Sequence, residues 1–233
     1  MHVYMDQCRL SNGLVIHSDS RTPLHELFKE VYRTQAYTQP DFPGISKGDV
    51  VIDLGANIGM FTLFAASISP RVRVYSFEPA PETFALLNKN VQVNKLINVQ
   101  CFQCAVASAT GEAILYLDIG STADTMVQSR LRAPGSARRE GVECVSLDDL
   151  FERLEIARCD FLKVDVEGAE FDIFFSASRQ TLRKISAIAM EYHEYEGRKG
   201  KELAELLESH GYCVRMSAAG NSDLGMIYAS LRV

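Results

Sequence analysis

The apolar positions of the chain fall into short β-branched runs that alternate with longer amphipathic stretches. Val50-Val51-Ile52 is a buried strand run, and Met60 to Ala66 continues beyond a turn as a helix packed on it. A second strand covers residues 72–77. The helix after it, over residues 81–93, puts Phe84, Leu87 and Val91 on one face. Strands follow at residues 98–102, 159–164 and 185–190. Ser146 is placed to cap a helix over residues 147–154, with Asp149 at the capping-box position. A later helix carries Leu203, Leu206 and Leu207 and stops at Gly211. Two last strands, near residues 212–217 and 225–231, finish the pattern. Strand–helix alternation of this kind predicts an α/β fold on a mostly parallel sheet.

Two stretches depart from the alternation. At the start, Asn12-Gly13 between apolar runs signals a hairpin. Residues 23–32 then read as a helix, with Pro23 in its first turn and Leu24, Leu27, Phe28 and Val31 on one face. We read residues 1–45 as a cap over the ligand edge of a single domain that occupies residues 46–233. Tyr32 and Tyr37 are candidates to line its pocket, with ordinary packing as the simpler role. In the middle, residues 112–118 form an extra strand where a helix is expected. After it come Ser121 and Thr122, then Arg130, Arg132, Arg138 and Arg139 around Pro134-Gly135-Ser136. This reads as a solvated loop. The sharper alternative is a substrate lid, with Ser121 and Thr122 as acceptor contacts.

Composition narrows the class. The 233 residues are 47% hydrophobic and 23% charged, with a net charge of −6, which disfavours a nucleic-acid partner held by charge. No apolar run reaches membrane-spanning length, and the N-terminus lacks the basic start and apolar stretch of a signal peptide. Six scattered cysteines, with Cys101 and Cys104 as a lone pair, suit reduced thiols in a cytoplasmic protein. A homo-oligomer is compatible with all of this.

The chemistry gathers at strand ends. Asp53-Leu54-Gly55-Ala56-Asn57-Ile58-Gly59 closes the first sheet strand and opens a helix, whose N-terminal N–H groups face a ligand. The spacing is G-x-x-x-G. A dinucleotide fingerprint needs G-x-G-x-x-G, and a P-loop needs Gly-Lys-Ser/Thr. The stretch resembles motif I of the class I S-adenosylmethionine-dependent methyltransferases. Glu78-Pro79 ends the neighbouring strand, where a carboxylate accepts both hydroxyl protons of a ribose. The small-residue turn Gln103-Cys104-Ala105-Val106 is where an adenine would lie. Asp165 and Glu167 close a fourth strand, two apart, so in extended geometry both point one way. Glu191 and His193 close a fifth.

In this order, Asp53 to Gly59, Phe77-Glu78-Pro79, Lys163-Val164-Asp165-Val166-Glu167-Gly168-Ala169-Glu170 and Glu191-Tyr192-His193 resemble the FkbM family of methyltransferases. The resemblance runs from about residue 26 to about residue 195. It implies a Rossmann-like class I sheet of seven strands, the last antiparallel, with helices on both faces. It also implies S-adenosylmethionine as donor, S-adenosylhomocysteine as product, and transfer to a hydroxyl of a small molecule such as a sugar or polyketide. Carried onto this chain, Asp53, Gly55, Ala56, Asn57 and Gly59 hold the methionine end. Glu78 with Pro79 holds the ribose, and Gln103, Ala105 and Val106 hold the adenine, with Asp165 and Glu167 beside the cofactor.

An alcohol is a weak nucleophile, so a base should take its proton as the bond forms. His193 has the right intrinsic range, with Asp165 or Glu191 as the other candidates. A Mg²⁺ ion on Asp165, Glu167, Glu191 and His193 is a secondary, unfavoured reading. A nucleoside-binding protein without catalysis and an NAD-dependent oxidoreductase are the rival functions.

Overall fold

The computed structural model describes residues 6–20, 22–117, 125–126, 138–195, 197–218 and 223–231. The chain opens with an antiparallel hairpin, β1 (Asp6–Arg9) and β2 (Val15–Ser18), which turns at the predicted Asn12-Gly13. The predicted helix after it is split into α1 (Leu24–Phe28) and a π-helical turn over Lys29–Arg33. Then follow β3 (Val50–Leu54), α2 (Met60–Ile68), β4 (Arg73–Phe77), α3 (Pro81–Val93), β5 (Val99–Phe102), β6 (Ala105–Ala107), β7 (Gly111–Leu117), β8 (Thr125–Met126) and β9 (Arg138–Ser146). The last part holds α4 (Leu147–Arg153), β10 (Phe161–Val164), α5 (Glu170–Ser176), α6 (Arg179–Leu182), β11 (Ala187–His193), α7 (Gly200–Ser209), β12 (Tyr212–Ala218) and β13 (Leu224–Leu231).

Seven strands form the central sheet in the order β12-β13-β11-β10-β3-β4-β5. Neighbours from β5 to β11 run parallel, while β13 is antiparallel to both β11 and β12. This is the predicted mixed sheet with its last strand reversed. After β3 the chain builds outward through β4 and β5, then returns to place β10 on the other side. The order therefore switches between β3 and β10, where a crevice opens at the carboxyl ends.

Alternation along the strands sorts the core. Ile52, Leu54, Leu162, Val164, Ile188 and Met190 pack with Phe151, Phe171, Phe174, Leu203 and Leu207 of α4, α5 and α7. On the other face, Val51, Val74, Phe161 and Ala189 pack with Phe61 and Ala65 of α2 and with Ile16, Val31 and Tyr37 of the N-terminal segment.

Side-chain amides tie that segment down. Asn90 of α3 accepts from the His17 N–H (2.6 Å) and donates to its carbonyl (2.9 Å), and Asn94 does the same for Val15 (2.7 and 2.6 Å). Each amide thus replaces a missing strand neighbour. The second N–H of Asn90 reaches the Ile58 carbonyl at 2.8 Å, which couples the hairpin to the nucleotide turn.

A second sheet, ordered β6-β9-β7-β8, stands beside the β5 edge. The extra strand predicted after Gly111 is β7. β9 begins at Arg138 and Arg139, which we expected in a loop. Ser146 caps α4 as predicted, accepting from the Asp149 N–H at 3.1 Å. The reciprocal half of the capping box is relayed: the Ser146 N–H donates to the Thr110 hydroxyl (3.0 Å), which donates to the Asp149 carboxylate.

Candidate active site

Both glycines of the turn adopt left-handed φ, +72° at Gly55 and +93° at Gly59, and each is hemmed in by the protein itself. A Cβ on Gly55 would lie 1.7 Å from the Asp165 carbonyl oxygen. One on Gly59 would lie 2.7 Å from Leu87 Cδ1. The G-x-x-x-G spacing thus lets β3 approach the end of β10 and lets α2 settle on α3. Asn57, between them, is also left-handed (φ 50°). Its N–H donates to Glu78 Oε2 at 2.9 Å, and the Ala80 N–H donates to Oε1 at 3.0 Å. Glu78 is thereby fixed at the end of β4.

Beside this turn lies a cleft of about 630 Å³, lined among others by Gly55, Asn57, Glu78, Pro79, Ala105, Val106, Asp165 and Glu167. Cys104 of the predicted adenine turn lines it too, as do Thr83 of α3 and Leu115 of β7, which were not foreseen. Gln103, expected at the adenine, is exposed and does not line the cleft. A smaller cavity of about 320 Å³ adjoins it, sharing Gly55, Asn57 and Asp165 and adding Ala56, Glu30, Tyr37 and Lys163.

Asp53 lines neither. It is wholly buried, accepts from the Thr62 hydroxyl at 2.6 Å, and pairs with Lys163 Nζ at 3.3 Å. Its place is beneath the turn, outside the lining of either cavity. Lys163 was read only as a strand residue. It is buried, donates to the Gly55 carbonyl at 2.7 Å, and lies 3.6 Å from Asp165 and 5.3 Å from the Tyr37 ring centroid. Burial works against its charge, but Asp53 and Asp165 outweigh it, so the ammonium is held protonated.

The π-helical turn brings Glu30 into this group. The Tyr37 hydroxyl faces Glu30 Oε1 at 2.8 Å and Asp165 Oδ2 at 2.9 Å. Burial and the Asp165 charge raise the Glu30 pKa. Asp165 Oδ1 is buried with no hydrogen-bond partner. Tyr32 lies elsewhere: it stacks on Phe28 (5.1 Å) and meets Phe64 edge-on (5.4 Å), lining neither cavity.

His193 stands between carboxylates. Nδ1 lies 3.0 Å from Glu170 Oε1, Nε2 lies 3.1 Å from Glu167 Oε2, and Glu191 Oε1 is 3.7 Å from Nε2. Burial disfavours the imidazolium, but the bonds to Glu167 and Glu170 prevail and push the pKa up to about 11. With both ring nitrogens paired to carboxylates, the expected base has no ring nitrogen left open to a substrate proton in this arrangement. Nor is a nitrogen left to ligate Mg²⁺; among the described residues no three His, Cys, Asp or Glu side chains are grouped as a metal site. Glu167 reaches the imidazole because the strand stops at Val164 and Glu167 turns left-handed (φ 52°), so Asp165 and Glu167 do not share an extended face. Glu191 is pushed up to about 8 by burial and by Asp165. Ser121 and Thr122 lie outside the described residues, as do Arg130 and Arg132.

No helix among the described residues is long and apolar enough to cross a membrane, and the six cysteines are free thiols.

Comparison with known proteins places this geometry. Jannaschii TYW2 in complex with AdoMet (M. jannaschii) superposes with a TM-score of 0.53 at 16% identity, over 98% of this chain and 85% of that one, a likeness of fold. The 31-O-demethyl-FK506 methyltransferase FkbM of Streptomyces tacrolimicus is 29% identical over 90% of each chain. Methyltransferase 1 of Beauveria bassiana is 26% identical, again over 90% of each. The Methyltransferase FkbM domain matches residues 53–214. The chain therefore belongs to the FkbM family of S-adenosylmethionine-dependent methyltransferases.

Proposed function

We infer that this chain methylates a hydroxyl oxygen of a small molecule, of sugar or polyketide type, with S-adenosylmethionine as donor. One observation carries the cofactor reading. Glu78, held by two backbone N–H groups, lines the same cleft as the apolar Ala105, Val106 and Leu115. A carboxylate in a cleft that also holds apolar side chains suits a ribose joined to a purine. The fit extends to the other end, where the buried, unpartnered Asp165 Oδ1 suits a cation. Here Glu78 would hold the ribose, Ala105 and Val106 the adenine, and the Gly55 to Asn57 backbone the amino-acid end.

The donor supplies an electrophilic methyl on a sulfonium. The chain's own part is to seat the acceptor close to it, exclude water and take the hydroxyl proton. The relative whose name specifies a 31-O position supports an oxygen acceptor.

Calorimetry with S-adenosylmethionine, S-adenosylhomocysteine and NAD tests the donor. Micromolar binding of the first two is expected, and heat from NAD alone would overturn the reading. A labelled-methyl screen over hydroxylated small molecules, with product analysis for a methyl ether, tests the acceptor.

A further inference from the structure

The carboxylates at this strand edge are nearly all engaged. Glu30 and Asp165 share the Tyr37 hydroxyl, Asp53 holds Lys163 and Thr62, and Glu167 and Glu170 grip His193. Glu191 differs. Among the described residues its carboxylate accepts no hydrogen bond, its nearest cation is the His193 edge at 3.7 Å, and it is part exposed. The pairing of Val164 with Met190 brings the next residues, Asp165 and Glu191, to the same level on neighbouring parallel strands. Alternation along β11 puts Glu191 and His193 on one face.

We propose that Glu191 is the proton acceptor of the methyl transfer and that His193 is a positioning residue, a fixed cation that holds the Glu167–Glu170 turn beside it. The proposal rests on the methyltransferase reading above. In the step, the acceptor oxygen forms a bond to the methyl carbon. The C–S bond breaks with its electron pair going to sulfur, and the hydroxyl proton passes to the Glu191 carboxylate. The products are a methyl ether, S-adenosylhomocysteine and a protonated Glu191 that returns its proton to water.

The surroundings explain how such a base is readied. Glu191 faces Asp165 and Glu167 from the β10 side, Glu30 from the N-terminal segment, and His193 on its own strand. The negative neighbours outnumber the positive one, and burial adds to them, so Glu191 keeps its proton near pH 7 while the site holds no further cation. A sulfonium entering the same cluster reverses that balance. The donor itself then converts Glu191 to its basic form, and the product, which is uncharged at sulfur, does not.

This can be read without knowing the acceptor. Calorimetric titration of the whole protein at pH 7, in buffers of different ionisation enthalpy, counts the protons released on binding. S-adenosylmethionine should release roughly half a proton more than S-adenosylhomocysteine. Glu191→Gln, which copies the protonated side chain, should bind both ligands and lose the difference. His193→Gln should keep it, since the residue that titrates is still present. Equal proton release by the two ligands in the wild type, or an undiminished difference in Glu191→Gln, overturns the proposal and leaves the cofactor reading standing. If neither ligand binds the wild type, that reading falls and the proposal falls with it.

Discussion

The Tyr37 hydroxyl lies 2.9 Å from Asp165, a residue 128 positions further along the chain, and the same oxygen lies 2.8 Å from Glu30. This contact joins the N-terminal segment to the end of β10 at the point where the two cavities meet. The Tyr37 ring meets Phe61 edge-on at 5.5 Å, lies 5.3 Å from Lys163 Nζ and is 2% exposed. Tyr37→Phe should keep the packing and remove the one hydroxyl between two carboxylates. We expect a loss of roughly 1–3 kcal/mol in urea unfolding.

Lys163→Met should be among the most damaging single changes. It strips Asp53 of its cation inside the sheet and leaves the Gly55 carbonyl without its 2.7 Å donor. Breaking a buried pair from one side costs about 3–5 kcal/mol. Denaturant unfolding should show a loss of that order, and Lys163→Met with Asp53→Asn together should recover part of it.

The two turn glycines should respond unequally. Gly55→Ala drives a Cβ into the Asp165 carbonyl, a backbone atom with nowhere to go, so we expect a loss of roughly 3 kcal/mol or more, or no soluble protein. Gly59→Ala meets the tip of the Leu87 side chain, which can shift. Its cost, mostly from the left-handed φ, should be about 1–2 kcal/mol in the same thermal melt.

Glu78→Ala should act twice. It removes the ribose partner, which weakens binding of S-adenosylhomocysteine roughly ten-fold or more. It also frees the Asn57 and Ala80 N–H groups, so the melting temperature of the ligand-free protein should fall as well. Glu78→Gln keeps an acceptor for one of the two N–H groups and should lose less stability than affinity.

Stability should decline above neutrality. Folding raises the His193 pKa from about 6.5 in the unfolded chain to about 11. Its contribution is therefore complete below pH 6.5 and drains away as pH climbs toward 11. Glu191, raised to about 8 from an unfolded value near 4.3, adds a cost that grows between those limits and is full above pH 8. Both slopes have the same sign from pH 6.5 to 8. Calorimetric melts should fall by several degrees over roughly pH 6 to 9.5, and His193→Gln should flatten the alkaline part of the curve.

Local pattern revealed the strands because a buried parallel strand must be largely apolar, as Val50–Leu54 and Phe161–Val164 are apart from the paired Asp53 and Lys163. The turn was legible for the same reason: left-handed positions demand glycine. The Arg138–Ser146 strand was not, since its sequence is half polar and its pairing with Gly111–Leu117 is a long-range fact. The site divides in the same way. Glu78 follows from a strand end and a turn. The role of His193 does not, because a histidine that accepts a proton and one that is locked as a cation are spelled alike. Only the arrival of Glu167 and Glu170 from another strand end decides between them. Lys163 was hidden by its setting in an apolar run, and Glu30 by the wider helical turn that aims it inward.

The last ladder rung of the second sheet pairs Leu117 with Arg138. Leu117 and Arg138, far apart in the sequence, are therefore fixed side by side on paired backbone. When the ends of an excursion are already pinned side by side, doubling its length costs only about 0.6 kcal/mol of closure entropy. Insertions between these two residues should accordingly cost the β7–β9 ladder little, because the rung that joins them does not depend on the length of chain between them.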